Sequence, residues 1–179
     1  AVEGAAPPQG ALLVVANHRS YADPIPAIGV LNCTLLAKAE VRRLPIIGLG
    51  AAAVGILFVR RGQARSRAEA QAAIREGLRQ GLAVGLYPEG TTVPGPGAHS
   101  FAPGAFRAAL EAGAPVLPVC IEYGRASDGW TTGEGMVRHY FRVFSQKEVE
   151  VRLRLGPLLA PEPAPPAGAE AQEEAASLL

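Results

Sequence analysis

Only two of the 17 basic residues are lysines, Lys38 and Lys147, and the formal net charge is +1. A chain that holds nucleic acid through a bulk basic field needs far more than that, so a nucleic-acid partner is not expected. The arginines come with an abundance of Ala, Gly and Pro, and composition bias accounts for them as readily as phosphate recognition does. Cysteine is equally scarce. Cys33 and Cys120 both lie in apolar runs, where a reduced, buried thiol is the ordinary state. No Cys-x-x-Cys pair or Cys/His cluster points to a metal. Long apolar stretches are missing too: residues 44–59 are uncharged, but 16 residues broken by Pro45 and several glycines fall short of the ~18–20 that cross a bilayer. No stretch reads as a signal peptide, and no Gly-x-Ser-x-Gly nucleophile elbow occurs. The chain opens on Ala1-Val2-Glu3-Gly4 without a methionine and reads as a fragment, with room for an anchor upstream.

What is present is apolar and alternating. With 179 residues, 49% of them hydrophobic, the chain can bury one sizeable core. Strand-like runs are expected at residues 11–16, 32–37, 56–59, 82–87, 116–122 and 149–155. Helical patterns fall between them at 24–31, from 38 toward 48, at 66–80 and at 104–111, an alternation that predicts an α/β fold. Residues 66–80 carry the best helix, with a Ser66/Glu69 capping box and an apolar stripe at Ala70, Ala73, Ile74 and Leu78. Pro118 inside the fifth run predicts a sheet edge, a bulge or a strand end. Residues 1–156 are expected to form the domain. Residues 157–179 read as a Pro/Ala linker followed by a surface helix.

The chemistry concentrates at strand ends. Asn17-His18-Arg19-Ser20-Tyr21-Ala22-Asp23-Pro24 follows the first run, at the exit where open α/β sheets keep their reactive groups. His18 reads as a general base and Asp23 as the acid that steers its ring. The plain alternative makes Asp23-Pro24 a helix N-cap pair and His18 a hydrogen-bonded structural residue. Ser20 is a candidate covalent nucleophile or an ordinary turn residue. Arg60 and Arg61 close the 56–59 run, where a guanidinium fork fits a phosphate or carboxylate or simply sits in water. Glu89-Gly90-Thr91 follows the 82–87 run, and the backbone N–H groups of Gly90 and Thr91 could face an oxyanion or phosphate. Lys38 either touches phosphate or is solvated. The 44–59 stretch, bracketed by Arg42-Arg43 and Arg60-Arg61, is either a surface dipping into an anionic membrane or core.

In this order the four blocks resemble the glycerolipid acyltransferase family, of which lysophosphatidate acyltransferase is the best-known member. His18 and Asp23 match its His-x4-Asp block. Gly55-Ile56-Leu57-Phe58-Val59-Arg60-Arg61 matches the second block, ending on Arg61. Tyr87-Pro88-Glu89-Gly90-Thr91 matches the third, and Val116-Leu117-Pro118-Val119 the fourth. The resemblance covers about residues 10–123. It implies a single α/β domain with a mixed, mostly parallel central sheet flanked by helices. It also implies transfer of a fatty acyl group from acyl-CoA or acyl-carrier protein to the free hydroxyl of a lysolipid. His18 and Asp23 would then be catalytic, while Arg60, Arg61, Glu89, Gly90 and Thr91 would bind the acceptor and its phosphate. The thioester is a co-substrate, and no further cofactor is implied.

Two departures bear on the acceptor. Thr92 stands where the lysophosphatidate enzymes often have Arg, and the family's N-terminal membrane helix is not in this sequence. The Glu-Gly-Thr-Thr form and a Trp130 loop are similar to lyso-ornithine-lipid acyltransferases. Lysophosphatidate is the acceptor first expected and a lyso-ornithine lipid the alternative. Rivals are a thioesterase-like hydrolase and a non-catalytic lipid-binding protein. The expected partners are a lysolipid, an acyl thioester or its carrier protein, and a membrane surface. The expected location is the cytoplasmic face of a membrane, held peripherally or by an upstream anchor.

Overall fold

The computed structural model describes residues 1–43, 48–49, 56–59, 64–93, 100–130 and 133–161. Arg60 and Arg61 lie outside them, as do most of the 44–59 stretch and residues 162–179. Seven strands form one sheet: β1 (Val2–Glu3), β2 (Leu12–Ala16), β3 (Thr34–Lys38), β4 (Leu57–Val59), β5 (Ala83–Leu86), β6 (Val116–Tyr123) and β7 (Val151–Leu155). Their order is β1-β7-β6-β2-β5-β3-β4. All neighbours are parallel except β6 and β7. This is the mixed, mostly parallel α/β sheet expected of the chain.

β2 lies in the middle and is buried along its whole length, as a strand covered on both faces must be. Its side chains alternate. Leu12, Val14 and Ala16 join Leu31, Leu35, Leu117, Val119 and Ile121 on one face of the sheet. Leu13 and Val15 join Ile74, Leu78, Val84, Ala105, Ala108 and Ala109 on the other. Helix α1 (Pro24–Leu31) covers the first face, while α2 (Ala64–Arg79) and α3 (Gly104–Ala112) cover the second. Pro24 at the start of α1 supplies the fixed φ of a first helical turn. Gly85, on β5 between β2 and β3, has no room for a larger residue: an added Cβ would stand 2.6 Å from Leu35 and 2.8 Å from the Cys33 sulfur.

The structure departs from the expectations at residues 38–43 and adds to them elsewhere. Residues from 38 onward do not begin an α-helix; β3 runs on to Lys38 and a 3₁₀ turn follows over Ala39–Arg43. A fourth helix, α4 (Met136–Phe144), and the short β1 were not read from the sequence. Pro118 does not interrupt β6, which continues from Val116 to Tyr123. It pairs with Val15 of β2 and its carbonyl accepts from Gly156 on the other side, just past the end of β7 at Leu155. Its missing N–H therefore falls where the β7 ladder has stopped, a strand end in local terms. Finally, the chain stays on the sheet beyond 156, since Leu159 bridges to Val116.

Candidate active site

Asn17 ends β2 by imitating another strand residue. Its side-chain amide donates to Ile121 O at 3.0 Å, and its Oδ1 accepts from Ile121 N at 2.6 Å. The backbone is thus carried onto the carboxyl edge of the sheet, where His18 leaves it. The peptide N–H of His18 donates to Glu89 Oε2 at 2.9 Å, and its carbonyl accepts from Val93 N at 2.9 Å. The turn after β5 therefore braces the base from behind.

The His18 imidazole is held on two sides. Nδ1 lies 2.8 Å from Asp23 Oδ2, and the ring stacks on Tyr87 with centroids 4.2 Å apart and planes 11° off parallel. Asp23 is fully buried while the His18 side chain remains 16% exposed. The backbone N–H groups of Arg19 and Ser20 also donate to Oδ2, at 2.8 and 2.9 Å, and the Tyr123 hydroxyl donates to Oδ1 at 2.6 Å. Asp23 makes no side-chain cap to α1; its carboxylate turns back to the preceding loop. Four donors converge on one carboxylate. With its acceptor so placed, the ring's proton belongs on Nδ1, leaving the Nε2 lone pair to face whatever enters. This tautomer is assigned from the partners. Burial, and next the Asp23 charge, hold the Tyr123 phenol far above its ordinary value, so it donates at any physiological pH. The Tyr87 phenol beneath the ring is likewise raised, chiefly by burial.

The third block serves the first. Glu89, with its side chain fully buried, lies 3.4 Å from Arg19 Nη1 as well as on the His18 backbone. Residues 87–90 form a turn closed by Gly90 N donating to Tyr87 O at 3.0 Å, with Gly90 at φ +75°, a conformation that favours glycine. Thr91 is exposed and Thr92 is buried. The charge partner that Glu89 has among the described residues is Arg19, a residue the sequence reading passed over; the expected Arg60 and Arg61 lie outside those residues. Ser20 is not a covalent nucleophile in this geometry. It is fully buried, its Oγ lies 2.7 Å from His139 Nε2, and it accepts from Ala22 N at 3.1 Å. Tyr123, Tyr87 and His139 were also missed. Tyr123 stands at the end of β6, whose place beside β2 is set by the strand order. Among the described residues no group of His, Cys, Asp and Glu is arranged to hold a metal.

A paired imidazole and buried carboxylate on the carboxyl edge of a mostly parallel sheet is an arrangement with which an α/β enzyme can take a proton. The chain belongs to the Acyltransferase family, whose sequence profile matches residues 2–122. It is 42% identical over 125 residues to a lyso-ornithine lipid O-acyltransferase of Pseudomonas aeruginosa, covering 69% of this chain and 47% of that one. It is 31% identical over 117 residues to a 1-acyl-sn-glycerol-3-phosphate acyltransferase of Borreliella burgdorferi, covering 64% of this chain and 47% of that one. The chain thus spans about half the length of these curated relatives. Its fold matches the crystal structure of the 1-acyl-sn-glycerophosphate acyltransferase PlsC from Thermotoga maritima, with a TM-score of 0.68, 24% identity, and 99% and 67% of the two chains covered.

Proposed function

We propose that this domain transfers a fatty acyl group from a thioester, acyl-CoA or acyl-carrier protein, to the free hydroxyl of a lysolipid. The observation that carries the reading is the His18–Asp23 pair at 2.8 Å, with Nε2 open and no competing nucleophile among the described residues. His18 Nε2 takes the acceptor's O–H proton as the oxygen attacks the thioester carbonyl. The new C–O bond forms, the C–S bond breaks, and the departing thiolate recovers the proton from the imidazolium. Asp23 stabilises that cation while it lasts, as the acid of a hydrolase triad does. Arg61, with Arg60, binds the anionic head group; Thr91 offers its backbone N–H to it or to the oxyanion, whereas the Gly90 N–H expected to help is taken up by Tyr87 O.

Lysophosphatidate is the acceptor that the motif pattern favours. A lyso-ornithine lipid is the second reading, supported by the 42% identity to the Pseudomonas enzyme. A groove of about 550 Å³ between α1, α4 and β7, lined by Ile25, Val30, Tyr123, Val143, Phe144 and Leu153, supports room for an alkyl chain beside the site. The domain works at a membrane's cytoplasmic face, a reading supported by the apolar side chains of α1 and α4 that stand in solvent. Mass spectrometry of products from a lysolipid panel with a labelled acyl thioester tests the proposal. Acylated lysolipid is expected with the wild type and is lost on His18→Ala. Release of free fatty acid with no acylated lipid would refute it in favour of a hydrolase.

A further inference from the structure

The His18 ring rests on the face of Tyr87, with centroids 4.2 Å apart and planes 11° off parallel. Tyr87 follows directly on β5, and its carbonyl accepts from Gly90 N in the turn that bears Glu89. Through Glu89 that turn also holds the His18 peptide N–H, so the base and the ring beneath it are fixed by one unit. Tyr87 is itself part of the core with Leu31, Cys33, Leu35 and Leu117. Its hydroxyl is buried and has no hydrogen-bond partner among the described residues. A buried hydroxyl left in that state costs stability, and plain packing would be served as well by an apolar ring. What Tyr87 presents to the site is its π face. The ordinary role for such a residue is a core plug beneath the 18–23 turn. A plug accounts for the burial, but gives no part to the charge that develops over the ring.

We infer that Tyr87 is a positioning residue whose π face stabilises the His18 imidazolium as the acceptor hydroxyl gives up its proton; this rests on the base role given to His18 above. The face of a phenol is the negative part of its quadrupole. A cation within about 6 Å of such a centroid is attracted to it, and more strongly away from water. Asp23 meets the imidazole at its edge, 2.8 Å from Nδ1, while Tyr87 meets its face, so the two supports do not compete for the same atoms. Both ring nitrogens of an imidazolium carry protons, so the attraction does not depend on which of them held the proton beforehand. The neutral ring gains much less from the same face. An interaction stronger with the imidazolium than with the imidazole lowers the barrier instead of tightening substrate binding.

The test places phenylalanines with no, one, two and three ring fluorines at position 87, which drains the face stepwise while nearly keeping the ring's shape. Acyl-CoA and lysophosphatidate are the substrates. Tyr87→Phe is expected to keep kcat within about threefold, since it removes a hydroxyl without a partner. Further fluorines should lower kcat in steps, to about tenfold at three, with KM within about twofold. Near pH ~6.5, the ordinary imidazole midpoint, the protonated share of His18, read from its Hε1 resonance, should fall along the same series. Asp23 at Nδ1, Tyr21 edge-on to the ring, Tyr123 behind Asp23, and Glu89 with Arg19 at the His18 backbone are the same in every variant. The trend therefore reports the face alone. A flat kcat and a flat protonated share across folded variants would show a packing role and overturn the inference. So would a loss at Tyr87→Phe as large as that of the trifluorinated ring, which would place the effect in the hydroxyl. The singly and doubly fluorinated rings carry the comparison if the third does not fold. A chain that acylates neither lysophosphatidate nor a lyso-ornithine lipid, yet shows the falling protonated share, would sink the reaction proposed above and leave the role of the face standing.

Discussion

Asp23 receives four donors, and only one of them is the base. The backbone pair from Arg19 and Ser20 fixes where the carboxylate sits, so its charge can be removed with little change in its position. Asp23→Asn should therefore keep the fold, seen as an unchanged near-UV circular dichroism spectrum, and lose about 10²-fold or more in kcat, as expected when a steering acid no longer supports a positioned base. Wild-type turnover in a folded Asp23→Asn would reduce the residue to a turn former. The His18–Asp23 pair was legible because both residues belong to one short turn, five positions apart. Tyr123 and His139 were not, because they reach that turn from 100 and 119 residues away and no local pattern announces such a contact. Glu89 was legible as a site residue but not as the brace of the His18 backbone, since a carboxylate's partner cannot be read from its own neighbours.

Among the described helices, α4 is the one the sequence concealed. Its large apolar side chains Val137, Phe141 and Phe144 face solvent while His139 and Val143 are buried, so the pattern reads against a core-facing stripe. The strands and α2 showed through because burial and period agree there. What secures α4 is largely polar. Arg142 bonds Glu134 at two points, 2.8 and 2.7 Å, and Gly129 O at 2.9 Å, while the Tyr140 hydroxyl donates to Tyr21 O at 2.8 Å. The Arg142 guanidinium, more than His139, holds the Glu134 carboxyl down at about 2. Because this value is depressed on folding, the stability it contributes is complete above the ordinary carboxylate value near 4.5 and is lost as pH falls from there through about 2. Thermal melts from pH 7 to 2 should show the wild type weakening over that window. Glu134→Gln should be less stable at pH 7 by about 1–3 kcal/mol and show a flatter acid limb. An acid limb as steep as the wild type's would remove Glu134 from the account.

Among the described residues, five of the ten exposed large apolar side chains sit on two helices. Val137, Phe141 and Phe144 on α4, at 55%, 75% and 55% exposure, stand with Ile25 and Val30 of α1 at 55% and 43%, and the groove beside Tyr123 lies between these two helices. Such a face fits a bilayer surface, in keeping with the acyl transfer proposed above. Val137→Asp combined with Phe141→Asp should weaken co-sedimentation with anionic phospholipid vesicles about tenfold or more, while turnover of a short-chain, water-soluble acceptor stays as it was. Undiminished vesicle binding would move the contact elsewhere. At this scale the α/β class and the parallel sheet could be read in advance from alternation and motif order. The strand order could not, because the neighbours of β2 come from residues 83–86 and 116–123 rather than from the next strand in sequence.

That wiring has a consequence during synthesis. Asn17 closes onto Ile121 and Asp23 onto Tyr123, so three of the four motif blocks emerge from the ribosome before the strand that seats the first of them. A nascent chain that has reached α3 already displays its histidine and its carboxylate, yet the strand that docks their turn through Ile121 and Tyr123 has still to come. If the acyl transfer proposed above holds, the site is complete only when the last third of the domain is delivered.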